Sequence, residues 1–286
     1  MNHNDPYRNN QQPGNYPQQG YPQQGQQGYY QQGAYAPGYD QAQQGFAVDQ
    51  YGNVIAAEGA YEGDLSNPAV AAFAKRVYGY FAGALATATA ASAGGVFAVE
   101  HFVATGNMAA LNGMRIGALV AFFASFLFVA FTRKSHSPLK TGLLFVFASS
   151  CGFMIAPLIT FMIAGGMGMS IIFAFGITTV VFGGITVYTL STGKDFRSLG
   201  GFLFIGLLVV LGLVIVNIFV PFPNMLSRII MGAIVVLFVG YTLYDTSKVT
   251  RDYFYANDAV GAAMMLFYDF FILFKYILIL LASSRD

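Results

Sequence analysis

A bundle of seven transmembrane α-helices behind a disordered amino-terminal tail is the fold class this sequence predicts, and three observations carry it. Of 286 residues, 56% are hydrophobic and 9% are charged, where an ordinary soluble domain has roughly a quarter of its residues charged. From Gly142 to Leu190 there is no Lys, Arg, Asp, Glu or His. The apolar residues also fall into separate runs of about 20, the length that crosses the hydrocarbon core of a bilayer. A net charge of +1 argues against a nucleic acid partner, because neutralising phosphates needs a dense basic surface.

The tail comes first. From Asn9 to Gly45 the chain is built of Gln, Gly, Tyr, Pro and Asn, with tandem units Tyr16-Pro-Gln-Gln-Gly20 and Tyr21-Pro-Gln-Gln-Gly25. Such a segment buries too little apolar area to offset its ordering entropy. Tyr interleaved with Gln and Gly is the pattern of weakly self-associating tracts; a plain solvated tail fits equally well. The division is therefore a tail over residues 1–66 and a membrane domain over residues 67–286. The first apolar run starts after about 75 residues, so no cleavable signal peptide is expected and the first span serves as the insertion signal. Ser66-Asn67-Pro68 reads as a helix start, followed by a short surface helix from Pro68 to Arg76.

The spans follow in order at Tyr78 to Val99, Met114 to Phe131, Leu143 to Ala164, Met169 to Leu190, Leu199 to Val220, Ile229 to Tyr244 and Val260 to Leu281, with the sixth able to run on to Arg251. Small residues such as Gly83, Ala84, Ala88, Gly94, Gly183 and Gly184 allow close helix approach in lipid, where packing drives association. Pro157 removes a backbone hydrogen bond within the third span, as a hinge or as a static kink. The single Cys151 leaves no internal disulfide and reads as a small packing residue.

Orientation rests on Lys and Arg in the short loops. With the amino terminus in the cytoplasm, Lys75, Arg76, Arg133, Lys134, Lys140, Lys194, Arg197, Lys248 and Arg251 lie inside, and Arg115, Arg228 and Arg285 lie outside. Nine against three places the amino terminus inside and, after seven spans, the carboxyl terminus outside.

Ionisable groups inside a membrane are costly and therefore suggest function. Asp245, Asp269 and Lys275 stand out. Lys275 can carry its ammonium to the outer interface and lies about 240° around the helix from Asp269, so the two do not share a face. Asp245 and Asp269 sit on the cytoplasmic halves of adjacent antiparallel helices. In a poorly hydrated site two carboxylates share one proton, which makes the pair a natural pH sensor; the bland alternative is that each binds a neighbouring hydroxyl or backbone group. Glu100 reads as a solvated interface charge. His3, His101 and His136 are too scattered for a metal site, and neither a phosphate-binding loop nor a hydrolase motif occurs. Catalysis is not expected, and no cofactor is implied.

At these residues the chain resembles the bacterial branch of the Bax inhibitor family. The resemblance is carried by Gly240-Tyr-Thr-Leu-Tyr-Asp245-Thr and Leu266-Phe-Tyr-Asp269-Phe-Phe-Ile-Leu-Phe, with support from Cys151-Gly-Phe-Met-Ile-Ala-Pro157-Leu, Asn217-Ile-Phe-Val-Pro221 and Lys75-Arg-Val-Tyr-Gly-Tyr-Phe. It implies a seven-helix bundle with the last helix surrounded by the other six, in the inner cell membrane. It also implies a calcium leak closed on the cytoplasmic side by the pair Asp245 and Asp269, which calcium would touch in passing. Arg133 in Ala130-Phe-Thr-Arg133 matches the family's Arg that latches one Asp in the closed state. The sequence departs from related bacterial proteins in its second span, where Ile116 to Thr132 holds no carboxylate. The competing function is a non-conducting regulator that binds a membrane protease or another protein partner, for which the long tail offers a contact. A proton-coupled transporter using the Asp pair is a third possibility.

Overall fold

The structure, a computed structural model, describes residues 47–48, 54–55, 65–132 and 138–283. Among these, seven helices are long and apolar enough to cross a membrane, and the chain is a multi-pass membrane protein. Ahead of them, strands β1 (Ala47–Val48) and β2 (Val54–Ile55) pair antiparallel, Ala47 opposite Ile55 and Val48 opposite Val54. The reading of residues 1–66 as a tail did not include this pairing, which joins two short apolar runs on either side of Gly52-Asn53.

Helix α1 runs unbroken from Pro68 to Ala104. The separate surface helix expected over Pro68 to Arg76 is therefore the first turns of α1. Asn67 caps it by accepting a hydrogen bond from Ala69 N at 2.9 Å, and Pro68 suits the first turn. Val70, Phe73, Ala74 and Val77 repeat at helical spacing and are all buried, with the Phe73 ring edge-on to Phe254 at 5.7 Å. These turns belong to the bundle because their apolar stripe finds a partner there.

Helices α2 (Met108–Phe131), α3 (Pro138–Ala164), α4 (Gly168–Thr192), α5 (Gly200–Phe219) and α6 (Asn224–Val249) follow. α2 starts six residues before the expected Met114, because the Asn107 side chain caps it through Ala110 N at 3.0 Å. α3 continues through Pro157. A one-turn helix α7 (Asp252–Tyr255), absent from the sequence reading, precedes α8 (Ala259–Ser283). Asn257, at φ 49, turns the chain between them, and its side chain accepts from Arg76 Nη2 at 3.2 Å.

α8 is the most enclosed of the seven spans, packed by α1, α3, α4 and α6, with Phe122 and Phe126 of α2 reaching Tyr268. α5 leans on α6, where Leu237 fills the space above Gly206 and Leu203 the space above Gly240. The tightest approach joins α1 and α3. A Cβ at Gly152 would run into the Ala88 carbonyl oxygen and stand 2.8 Å from Ser92 N, and one at Gly95 would stand 2.6 Å from the Ala156 methyl.

Lys140 and the carboxyl end of α6 lie at the end of the bundle where α1 and α8 begin. We call this end the basic side, after Lys75, Arg76, Lys140, Lys248 and Arg251.

Candidate functional site

The last turns of α6 set out Thr242, Asp245, Thr246 and Val249 at helical spacing, and all four are buried. On α8 the corresponding face holds Leu266, Asp269, Phe270 and Leu273, again buried. Because α6 and α8 pack along their length, these faces bring the two carboxyl groups into one site, with exposures of 7% for Asp245 and 2% for Asp269. Asp269 feels the charge of Asp245, and the Lys248 ammonium opposes it. Asp269 Oδ2 is fully shielded and accepts no hydrogen bond. Two full negative charges in such a place would lack the solvation that stabilises them in water.

Aromatic rings wall the site. Phe238 lies edge-on to Tyr268 at 5.9 Å, and Tyr268 in turn sits among Phe122 and Phe126 of α2 and Phe147 of α3. Tyr241 of α6 is close enough to feel both carboxylates. Neighbours of this kind exclude water and strengthen every charge interaction inside.

Sequence reasoning counted Lys248 only as a loop charge, yet its Nζ lies 3.7 Å from Asp245 Oδ1. The ammonium also sits over the rings of Tyr244 at 4.8 Å and Tyr253 at 5.3 Å. The signal was available: residues three apart on a helix are neighbours, and the sixth span was already read as able to run on to Arg251. Arg133, the expected latch, lies outside the described residues. Lys275 stands half-buried nearer the other end of α8, its Nζ 5.5 Å from the centre of the Tyr276 ring. Cys151 is wholly buried in α3.

A second charged cluster lies at the basic side, around Arg197 and Arg251. Arg197 bridges Asp195 at 2.9 Å and Asp252 at 2.6 Å, while the Arg251 guanidinium donates to the carbonyls of Gly193 at 2.7 Å and Ser247 at 3.2 Å. Hydrogen bonding to Arg197 holds the Asp195 carboxyl below its ordinary value. A depressed carboxylate contributes stability above its unfolded value near 4 and loses it only as pH falls through the folded one. Asp195 therefore stays ionised above about pH 5, and any response near neutrality must come from elsewhere. Among the described residues no three His, Cys, Asp or Glu side chains converge on one point as metal ligands would.

The family model described as Inhibitor of apoptosis-promoting Bax1 matches residues 70–286. An uncharacterised protein of Helicobacter pylori is 33% identical over 225 residues, covering 78% of this chain and 92% of its own. The modulator of FtsH protease YccA of Escherichia coli K12 is 31% identical over 149 residues, covering 51% of this chain and 67% of its own. A protein of E. coli O6:H1 with the same identity and coverage is named inner membrane protein YccA.

Proposed function

The chain belongs to the Bax inhibitor family, and from that premise we propose that it is a passive, pH-sensitive cation leak of the inner membrane, carrying calcium, with Asp245 and Asp269 as its gate. One observation carries the reading: both carboxyl groups are buried, and Asp269 on α8 feels the charge of Asp245 on the adjacent α6. In the closed state the ionised pair holds a cation against it. Protonation weakens that hold, so flux rises as pH falls. Lys248 is one such cation, and Arg133 is the second by the family likeness. No resident cofactor is needed. Calcium prefers six to eight oxygen ligands, so two carboxylates would touch the ion in passing without trapping it.

The basic side is the cytoplasmic side in this reading, since nine of the twelve counted Lys and Arg residues flank it. A reporter fused after Asp286 is then expected to read outside and one at Met1 inside; two cytoplasmic readings would overturn the orientation. Lys248→Met removes the counter-ion 3.7 Å from Asp245. In liposomes at pH 8 it is expected to raise calcium flux by about tenfold, the effect of removing one charged partner from a poorly hydrated carboxylate. Flux equal to wild type at that pH would remove Lys248 from the gate.

A second reading has its own support. The E. coli relative is named a modulator of FtsH protease, and a regulator that binds a membrane protease need conduct nothing. Its contact surfaces would be the amino-terminal tail and the lipid-facing helices. Calcium flux into liposomes holding only the purified protein separates the two, because a regulator carries none.

A further inference from the structure

Lys140 and Asp258 form an ion pair that the gate does not use. Lys140 stands in the first turn of α3 and Asp258 directly before α8. Lys140 Nζ lies 2.8 Å from Asp258 Oδ1, and both side chains are 3% exposed. The same ammonium donates to the carbonyl oxygen of Thr132 at 3.1 Å, and Thr132 caps the end of α2. The same carboxylate oxygen accepts from Gly261 N at 2.8 Å, while the Asp258 carbonyl accepts from Ala262 N at 3.1 Å. Asp258 is thus the cap of α8. A Cβ at Gly261 would lie 2.8 Å from the Asp258 carboxyl carbon, so glycine is what lets the cap close.

One side-chain pair therefore ties together the end of α2, the start of α3 and the start of α8. Its energetics do not favour it as a plain stabiliser. Both charges are taken out of water and Asp258 Oδ2 is left buried without a partner, and well-packed apolar residues in place of such a pair are often as stable or more so. What the pair supplies is geometry, because each partner is satisfied only when the three helix ends stand in one arrangement. Asp269 follows Asp258 by eleven residues on α8, about 16 Å along a stiff helix, so a shift or rotation at the start of α8 reaches the gate.

We infer that the Lys140–Asp258 pair is a positioning clamp that fixes the height and rotation of α8 against α2 and α3, and thereby the register of Asp269 against Asp245. The inference rests on the reading of that pair as the gate. Two measurements test it, one of which needs no conduction. In a Cys151→Ser background, spin labels at exposed positions 131 and 256 report the distance between the end of α2 and the start of α8. The full-length protein is expected to give one narrow distribution, and Lys140→Met a broadened or displaced one.

In liposomes the same variant is expected to raise calcium flux at pH 8 at least about tenfold and to move the midpoint of the pH profile, since breaking a buried pair changes a two-state population by more than that. Lys140→Arg, which can still reach both oxygens, keeps the wild-type distance and midpoint. Should Lys140→Met not fold, Lys140→Met with Asp258→Asn leaves no unpaired charge and keeps the cap, and is expected to show the same displaced distance with wild-type thermal stability. A wild-type distance and pH midpoint in the double variant overturn the clamp even where the protein leaks. No flux from wild-type protein overturns the leak, while the spin-label distances still decide the clamp.

Discussion

Calcium flux through Asp245→Asn and Asp269→Asn proteins in liposomes is expected to lose most of its dependence on pH, changing by less than about twofold between pH 6 and 8 where wild type changes about tenfold or more. An isolated aqueous Asp is ionised throughout that window. On the proposed reading the buried pair, with one shielded, unbonded oxygen on Asp269, takes up one shared proton within that window. Among the described residues, Lys248 and Tyr241 from α6 and Tyr268 from α8 face the pair. Replacing either Asp by the near-isosteric Asn removes the shared proton and leaves the helix packing in place. Both variants should unfold in detergent within a few degrees of wild type, so a flattened pH profile cannot be laid to a damaged fold. Correctly folded variants that keep the wild-type profile would end the gate hypothesis.

Gly152→Leu is expected to have the largest effect on the fold itself. The Ala88 carbonyl and Ser92 N of α1 occupy the space that a side chain at Gly152 would need. The obstacle is backbone, which cannot swing aside as a rotamer can. Overpacking a core costs about 1–3 kcal/mol where side chains can adjust, and here two helices must separate along their closest interface. A fall in thermal midpoint of about 10 °C or more follows, at roughly 2–4 °C per kcal/mol for a chain of this size. Gly94→Leu is the control, because nothing lies within 4 Å of a Cβ there. Equal melting of the two variants in the same detergent would show that the close approach at Gly152 does not hold α1 and α3 together.

The seven spans and their order were legible because lipid imposes a simple rule: a crossing helix needs about 20 apolar residues and satisfies its own backbone; the central place of the last helix came only from the family resemblance. The helix ends were less legible. The early start of α2 depends on Asn107, and the length of α6 on how its polar last turns pack; neither changes the apolar count. For the site, the sequence singled out Asp245 and Asp269 through the cost of charge in a membrane. Lys248 escaped because it stood beyond the apolar run, where a basic residue ordinarily means orientation.

Composition and periodicity by themselves determined that this chain lives in a membrane, how many times its helices can cross, and which two carboxylates stand out. They could do so because these properties are local, set by residues within one helix and the solvent around it. The partners of those charges were decided by tertiary structure alone. Lys140 and Asp258 are 118 residues apart and meet within 2.8 Å, and Gly152 meets α1 only once two helices have docked. Meetings of this kind depend on the rotation and height of one helix against another, which the packing of the whole bundle fixes.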